Sequence, residues 1–596
     1  MMPWFLRDPE RFKLERTGVE ELSRSATWLI GTEWRIDEYG LVLDAVIRAK
    51  GHDYEVQVSF PTLYPDAPVI VRPQKMQTRI STHQYGGPDG PLCLEWGPDN
   101  WHHDVTSVQM LESAHRLFEV ENPLGEGRPD IPVVAPSRHK LTMGQELRGK
   151  WRRWYAGATV ADYLLGQPGQ SVGTFKFSFL TTGESWVSLV HEAISFGGIT
   201  CRDDQIPTTQ LGSGNLRVGI WFNTDLEKSA IGQPKKLAEL RDLLAGIEEA
   251  KFLTTDGSSP VHDFGKFISG VIIIDKTGEL HLFIVFPDED VLVSSRVKTE
   301  GEPVQTRSPD WDALNCKTIG IVGLGSVGSK IAMSLTRMGC RKFYLIDHDL
   351  LLPENLQRHA LDWQGVTQHK VYAMKLAIGL VAPEAHIDVS CLHITGQESN
   401  ASISGVLNRL ASCDIVIDAT ANSRVFNLLA AIARTACLPM VWMEVFGGGV
   451  GGLVARSRPR TDPAPQDMRG AYLQFCSDNP APDLGQVYGN YAIENEEGEV
   501  LVASDADVAI IAHHAARFVP DCFVPPEHSI FPYSMYLIGL TKGWIFEAPF
   551  DTKPISMESY SAAGWENSKK QELDAEDVQF LCDLLKKDDN ATSNTP

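Results

Sequence analysis

Residues 316–349 read CKTIGIVGLGSVGSKIAMSLTRMGCRKFYLIDHD. An apolar run, a glycine turn, a helical pattern and a second apolar run come one after another, which is the order of a strand-helix-strand unit in a parallel α/β sheet. Gly323, Gly325 and Gly328 fit G-x-G-x-x-G. Glycine there permits a tight turn and lets backbone approach phosphate oxygens at the N-terminus of the next helix. Asp347 ends the second strand, where an acidic side chain binds a ribose. Dehydrogenases carry the same fingerprint, so it predicts a nucleotide site without choosing a reaction.

The choice comes from the next stretch of chain, LIDHDLLLPENLQRHALD (345–362), together with Lys370 in TQHKVYAMKLA (367–377). A dehydrogenase has no need of it. The stretch resembles the signature of the E1, MoeB and ThiF adenylating family, and Asp347, Asp349, Asn355, Arg358 and Lys370 match that signature residue by residue. The resemblance implies a Rossmann-like adenylation domain binding ATP, with Asp347 on the ribose and Asp349 and Asn355 in the nucleotide site. Arg358 and Lys370 would neutralise the triphosphate and the charge that develops as a carboxylate attacks the α-phosphorus. Either basic residue alone would read as a solvated helix face; their joint spacing after the glycine turn favours the site. In CDIVIDATANSRVFN (413–427) the family places an aspartate-x-x-aspartate-asparagine motif for magnesium. Here Asp418 and Asn422 remain and Ala421 replaces the second carboxylate, so either Asp418 or Asp349 carries Mg2+ or this step differs from the family.

The N-terminal segment alternates apolar and polar residues in LVLDAVIRA (41–49) and YEVQVSF (54–60), breaks at the proline-rich FPTLYPDAPVIVRP (60–73), and closes with the amphipathic LESAHRLFEVENP (111–123). A helix followed by three strands is expected to open it. It resembles ubiquitin-conjugating E2 domains. FPTLYPDAP stands at their F-P-x-x-Y-P-x-x-P turn, HQY (83–85) at their histidine-proline-asparagine motif, and GPLCLEWGPDNW (90–101) holds the G-x-x-C-L of the active site. Cys93 falls at the nucleophile, where thioester transfer needs an accessible thiolate beside oxyanion donors. Tyr85 replaces the oxyanion asparagine, passing that duty to His83, Tyr85, Asn100 or backbone amides. Phe60, Pro61, Tyr64, Pro65 and Trp101 serve the fold. His102 and His103, if on a strand, point to opposite faces and would not share an ion.

A second cysteine, the E1 acceptor, is expected before a late helix, here DADVAIIAHHAARFV (505–519). Ser504 and Ala503 stand near its place. Cys476, in the flexible-looking AYLQFCSDNPAP (471–482), Cys522, and direct transfer to Cys93 all stay open. Paired zinc cysteines are absent, so no zinc is expected.

Five segments result: an E2-like α+β fold over 1–135, a linker over 136–150, a central region over 151–305, the adenylation domain over 306–560, and a tail over 561–596 ending KKDDNATSNTP, whose composition predicts disorder. The central region has a helical pattern in LAELRDLLAGIEEAKFL (237–253), strands in FISGVIIID (267–275) and ELHLFIVFP (279–287), and no catalytic constellation. This order of units resembles the bacterial E1-E2 fusions associated with CD-NTases in antiphage CBASS operons. That resemblance implies a degenerate α/β adenylation-like central domain, a homodimer, a cyclic-nucleotide synthase (CD-NTase) C-terminus as the activated substrate, and target-protein amines as acceptors. Two other functions stay open: a ThiF or MoeB type sulfur-carrier activator, and a noncatalytic scaffold.

With 596 residues the chain is too long for one core. Its formal charge of -23 argues against a nucleic-acid surface. No apolar run approaches the roughly 20 residues that span a bilayer, so no membrane role is expected. Residues 1–18, MMPWFLRDPERFKLERTG, do not read as a signal peptide, and the ten scattered cysteines read as reduced thiols. Both point to the cytoplasm.

Overall fold

The computed structural model describes the chain except residues 1, 39, 127–131, 136–141, 183–184, 208–215, 256–267, 299–313, 397, 481–486, 489–491, 495–499, 566–575, 577, 581 and 584–596. Two compact units emerge, Met1–Trp151 and Arg152–Pro596.

The first unit holds α1 (Trp4–Arg7), α2 (Pro9–Ser25), β1 (Leu29–Asp37), β2 (Gly40–Ala49), β3 (His52–Ser59), β4 (Ile70–Pro73), α3 (Ser107–Glu121) and α4 (Met143–Glu146). Strands β1 to β4 form an antiparallel meander in sequence order, one strand more than the pattern predicts. Helix α2 starts cleanly because the Asp8 side chain accepts the Arg11 N–H and proline occupies the first turn. Helix α3 has a Thr106–Gln109 capping box and ends on Asn122 in the left-handed conformation. A buried network ties the helices together. Glu15 pairs with Arg11 at 2.9 Å and accepts the Ser107 N–H at 2.8 Å, and Tyr64 also bonds to it. Trp4 stacks on Phe60 with ring centroids 5.4 Å apart, and the Trp101 indole donates to the Pro65 carbonyl at 2.7 Å. These aromatics therefore do serve the core. His102 and His103 sit in a turn rather than a strand. Their exposed rings lie 4.4 Å apart and both approach Asp104, so the opposite-faces expectation is corrected. Of the expected linker, 136–141 lies outside the described residues, and Thr142 caps α4.

The second unit contains two eight-stranded sheets. The first is built from β5 (Arg152–Ala156), α5 (Ala158–Leu165), β6 (Val172–Thr182), β7 (Ser185–Ser195), β8 (Thr200–Arg202), β9 (Leu216–Asn223), α6 (Lys228–Ile231), α7 (Leu237–Leu243), β10 (Gly270–Ile274), β11 (Leu280–Val285) and β12 (Val291–Val297). Its order is β5-β12-β11-β10-β9-β6-β7-β8, and β5 also pairs with β7, so the order returns on itself. Most of its pairs are antiparallel. The central region is thus mixed α/β rather than all parallel: hairpins join β6 to β7 and β10 to β12, while β9 and β10 pair in parallel with α6 and α7 between them. The helix expected over 237–253 stops at Leu243 and resumes as a 3-10 turn over Glu248–Phe252, Gly246 being a poor helix former.

The second sheet begins with β13 (Thr318–Val322), α8 (Ser326–Arg337), β14 (Lys342–Ile346), α9 (Lys370–Val381), β15 (His386–Ser390), α10 (Asn400–Ala411), β16 (Ile415–Asp418), α11 (Ser423–Ala436), β17 (Met440–Phe446), β18 (Gly451–Ser457) and α12 (Pro465–Asp478). Three short strands, β19 (Val487–Tyr488), β20 (Ala492–Glu494) and β21 (Val500–Val502), pair separately, and α13 (Asp505–Asp521), β22 (Met535–Gly539) and β23 (Thr552–Pro554) complete the domain. The sheet order is β15-β14-β13-β16-β17-β18-β22-β23, with β15 to β17 parallel. The chain builds outward from β13 through β14 to β15, then returns to the other side as β16. Such a reversal leaves a crevice at the carboxyl ends of the central strands. Helix α13 shares a buried core with α8, including Ile331, Leu335, Val508 and Ile511. Among the described residues no helix is long and apolar enough to cross a membrane. The boundary expected at 305 and most of the tail lie outside the described residues.

Candidate nucleotide site

A cavity of about 260 Å3 opens where β13, β14 and β16 end, and its wall includes Gly323, Gly325, Asp347, Asp349, Lys370 and Asn422. Strand register explains the assembly: Val322 pairs with Ile346 on one side and Asp418 on the other, so the residues after them emerge at one level.

The three glycines do different work. Gly323 has φ +89, and a Cβ there would lie 2.8 Å from Thr420. A Cβ on Gly328 would meet the Gly323 carbonyl oxygen at 1.9 Å, so this glycine lets α8 pack against the turn. Gly325 would meet nothing within 4 Å; it leaves the cavity side of the turn open. Asp347 fixes the loop, accepting the Leu324 N–H at 2.6 Å and the Asp349 N–H at 2.8 Å.

Lys370 is buried at the start of α9, and its ammonium lies 2.9 Å from Asp349. Burial works to raise the Asp349 pKa, but the hydrogen bond and charge of Lys370 hold it below the usual carboxylate range. The rings of His348 and His393 stack in the wall with centroids 4.1 Å apart. Asp418 is almost fully buried, and burial pushes its pKa up to about 6 against the hydrogen bonds from Thr420. Ala421 adopts a positive φ of 52. Asn422 caps α11 by accepting the Arg424 N–H at 2.9 Å.

Two residues of the signature lie outside the cavity wall. The Asn355 side chain accepts the Leu352 N–H at 3.0 Å, capping its own 3-10 turn. Arg358 comes after that turn, and its carbonyl accepts the buried Lys330 ammonium at 2.6 Å, which also pairs with Asp505 at the start of α13. Sequence patterns do not single out His359 either. It donates from Nε2 to the Leu324 carbonyl at 2.7 Å and accepts the Leu361 N–H at Nδ1. Burial lowers its pKa to about 4, so it stays neutral and clamps the glycine turn. The H-A-L of 359–361 carries no pattern that marks such a clamp, and the partners of Lys330 are too distant in sequence to read.

The cysteines depart from expectation. Cys476 lies in the last turn of α12, not in a flexible loop, and burial raises its pKa while a hydrogen bond with Tyr472 lowers it. Cys522 stands just past α13, and burial pushes its thiol up to about 12. Ser504 is the N-cap of α13. In the other unit, Cys93 is 1% exposed and its N–H donates to the His83 carbonyl at 2.6 Å. The exposed loop thiol expected there is not found. Gln84 pins the adjoining turn, its amide donating to the carbonyls of Gly87, Pro88 and Gly90. Asn100 is committed locally, donating to the Glu95 carbonyl at 2.8 Å.

Residues 304–477 match the model of the ThiF family. The chain carries a ThiF-like, E1-type adenylation domain. It is also similar to Cap2, described as an ATP-dependent ubiquitin transferase-like protein: 33% identical over 195 residues to that of Vibrio cholerae, covering 31% of this chain and 29% of the relative. The Cap2 of Enterobacter hormaechei is 32% identical over 131 residues, covering 22% and 21%. Ubiquitin-like modifier-activating enzyme 5 of Gallus gallus is 30% identical over 142 residues, covering 23% and 35%. The chain thus spans between about a fifth and a third of the length of the curated relatives it matches. A solved structure of E. coli MccB with ATP superposes at a TM-score of 0.30 with 16% identity, covering 41% of this chain and 66% of that one. The residues of the signature and of the cavity wall fall within the segment 304–477 that the ThiF model matches.

Proposed function

We propose that the chain is an E1-E2 fusion that activates the C-terminal carboxylate of a partner protein with ATP and passes the acyl group through cysteine thioesters to an amine. The observation that carries this reading is the open Gly325 turn facing Asp347 and the buried Lys370 across one cavity. The donor set fits a nucleotide: Gly323, Gly325 and Gly328 would leave room for phosphates, Asp347 would hold the ribose, and Lys370 would offset phosphate charge. Asp418 would hold Mg2+, which commonly takes one or two carboxylates and completes its shell with phosphate and water. ATP supplies the adenylyl group, with pyrophosphate leaving as a carboxylate oxygen bonds to the α-phosphorus; no proton moves. Asp349 keeps Lys370 oriented and the Lys330 contact holds the backbone of Arg358, whose side chain would swing to the leaving phosphates.

By its resemblance to CD-NTase-associated fusions, the partner is a cyclic-nucleotide synthase, the E1 units pair as a homodimer, the setting is cytoplasmic antiphage defence, and the central sheet is a domain of its own over 151–305. Cys476 is the candidate first acceptor, as α12 brings it beside Tyr472, and Cys93 the second. The order of α2, the β1 to β4 meander, Cys93 and α3 supports an E2-like unit over 1–135. Cys93 must be uncovered before transfer. In the test, the full chain, ATP and a cyclic-nucleotide synthase from the same genome are run on nonreducing gels. A thiol-sensitive adduct lost in Cys93→Ala is the expected result; an unchanged adduct pattern contradicts the E2 role.

The burial of Cys93 favours one second reading, a ThiF or MoeB type adenylyltransferase whose N-terminal unit only docks a partner. Pyrophosphate exchange without any Cys93 adduct would mark it.

A further inference from the structure

Helix α3 of the first unit is entered through a turn, WHHDVT (101–106), that sets three metal-ligating side chains next to one another. His102 Nδ1 lies 3.2 Å from one carboxylate oxygen of Asp104, and His103 Nε2 lies 3.1 Å from the other. The three donor groups fall within 4.8 Å of one another. A tetrahedral ion with bonds of about 2.0–2.2 Å to nitrogen and oxygen keeps its ligand atoms roughly 3.3–3.6 Å apart, so small ring rotations close this set around one centre. The backbone beneath is held in place. Buried Arg11 donates from Nη1 to the His103 carbonyl at 2.7 Å and from Nη2 to the Val105 carbonyl at 2.6 Å. The Val105 N–H returns to the His102 carbonyl at 2.9 Å, and Glu15 pairs with Arg11 from below. The side chains of His102, His103 and Asp104 are 63%, 63% and 75% exposed, so the face they share is open to solvent.

Such an arrangement calls for a positive charge at its centre. His102 Nδ1 accepts the Asp104 N–H at 3.4 Å and so presents a lone pair on that side. A lone pair facing a carboxylate oxygen is repulsive unless a cation lies between them. Among the described residues no lysine or arginine pairs with Asp104. Protons on both rings would set two imidazoliums 4.4 Å apart, centre to centre, where they repel. One divalent ion supplies the charge to both rings at once. Neutral imidazole and carboxylate are donors that zinc and its first-row neighbours accept, whereas Mg2+ and Ca2+ favour oxygen alone. The lack of paired cysteines bears on thiolate sites and leaves this donor set untouched.

We propose that His102, His103 and Asp104 form a surface site for Zn2+ or a divalent ion of the same ligand preference, with water in the fourth position. Three protein ligands and an open position make the site an exchangeable one, unlike the closed four-ligand centres that hold small folds together. Its ligands all belong to the first unit, so it stands or falls apart from the nucleotide cavity in the second.

The test is titration of Co2+ into the full chain, reduced and freed of metal, followed by absorption. Tetrahedral Co2+ held by nitrogen and oxygen gives visible bands, and a cysteine ligand would add a near-ultraviolet charge-transfer band. An equivalent of coloured Co2+ without the thiolate band is expected, displaced by Zn2+ and retained in a large excess of Mg2+. His102→Gln, His103→Gln and Asp104→Asn should each weaken its binding by at least about tenfold, the loss that even a partner once removed from the metal brings. Because these side chains face water, the metal-free variants should keep the unfolding midpoint of wild type, and only wild type should gain stability when Zn2+ is added. Co2+ binding that is the same in wild type and all three variants, that carries the thiolate band, or that excess Mg2+ abolishes overturns the proposal and leaves Asp104 with hydrogen bonds only.

Discussion

The second unit holds two sheets of eight strands each, and among the described residues the candidate nucleotide cavity is lined from the second alone. In the first, hairpins join β6 to β7 and β10 through β12, and glycine serves to admit aromatic rings. A Cβ on Gly219 would lie 2.3 Å from the Phe175 ring and one on Gly173 2.6 Å from Trp221. Space there is filled. In the second, parallel crossovers reverse direction at β13, and Gly325 faces open space at the crevice. The buried acids differ in the same way. Asp275 in the first sheet has its donors at hand, from Thr277, Glu279 and His281, and these hold its pKa down to about 2 despite burial. Asp418 in the second is served by Thr420 alone among its hydrogen bonds, and burial lifts it to about 6. The reversal of strand order at β13, rather than strand number or glycine content, accompanies the open crevice of the second sheet.

The largest break in this contrast is expected from Lys370→Ala. Removing the buried cation should lower ATP–pyrophosphate exchange by about a hundredfold or more, with folding intact by circular dichroism. Asp418 gives a pH signature. Its carboxylate is charged only above about pH 6, so magnesium-dependent exchange should fall as pH drops through that value. Because its folded pKa is raised, its contribution to stability is present below the ordinary value near 4 and lost as pH rises through about 6. Asp418→Asn should therefore unfold at a higher temperature than wild type at pH 7, by about 2 °C or more, with the difference vanishing near pH 4 while exchange is lost at both. A smaller effect is expected from His359→Leu, which frees the Leu324 carbonyl. Losing that bond should raise the KM for ATP by roughly tenfold and leave kcat nearly unchanged. Smallest in function is Asp275→Ala, which should cost about 1–3 kcal/mol in denaturant unfolding without altering exchange.

Local patterns are readable in the sequence and distant pairings are not. The strand, turn and helix over 316–349 appear as β13, α8 and β14 because their periods and glycines are local. The alternation over 41–60 likewise gives β2 and β3. Register is long-range: nothing in the sequence sets Asp418 beside Val322, or Lys330 against Asp505, 175 residues on. A motif also says little about depth. The order of residues around Cys93 resembles a surface active site, yet Gln84 ties down the neighbouring turn and the thiol lies inside. Cys476 misleads in the opposite direction, since the proline that suggests a loop comes after the last turn of α12.

That the crevice beside Gly325 binds ATP is the proposition on which the rest depends, and it can be tested by calorimetric titration of ATP with Mg2+ into wild type and Gly325→Val. A valine there meets no neighbour within 4 Å at Cβ and breaks no left-handed turn, so the fold and unfolding midpoint should persist while its branches occupy the phosphate side. Micromolar binding is expected in wild type, about the usual scale for such substrates, and none in the variant. Equal affinity in both proteins would mean that ATP does not bind at this turn.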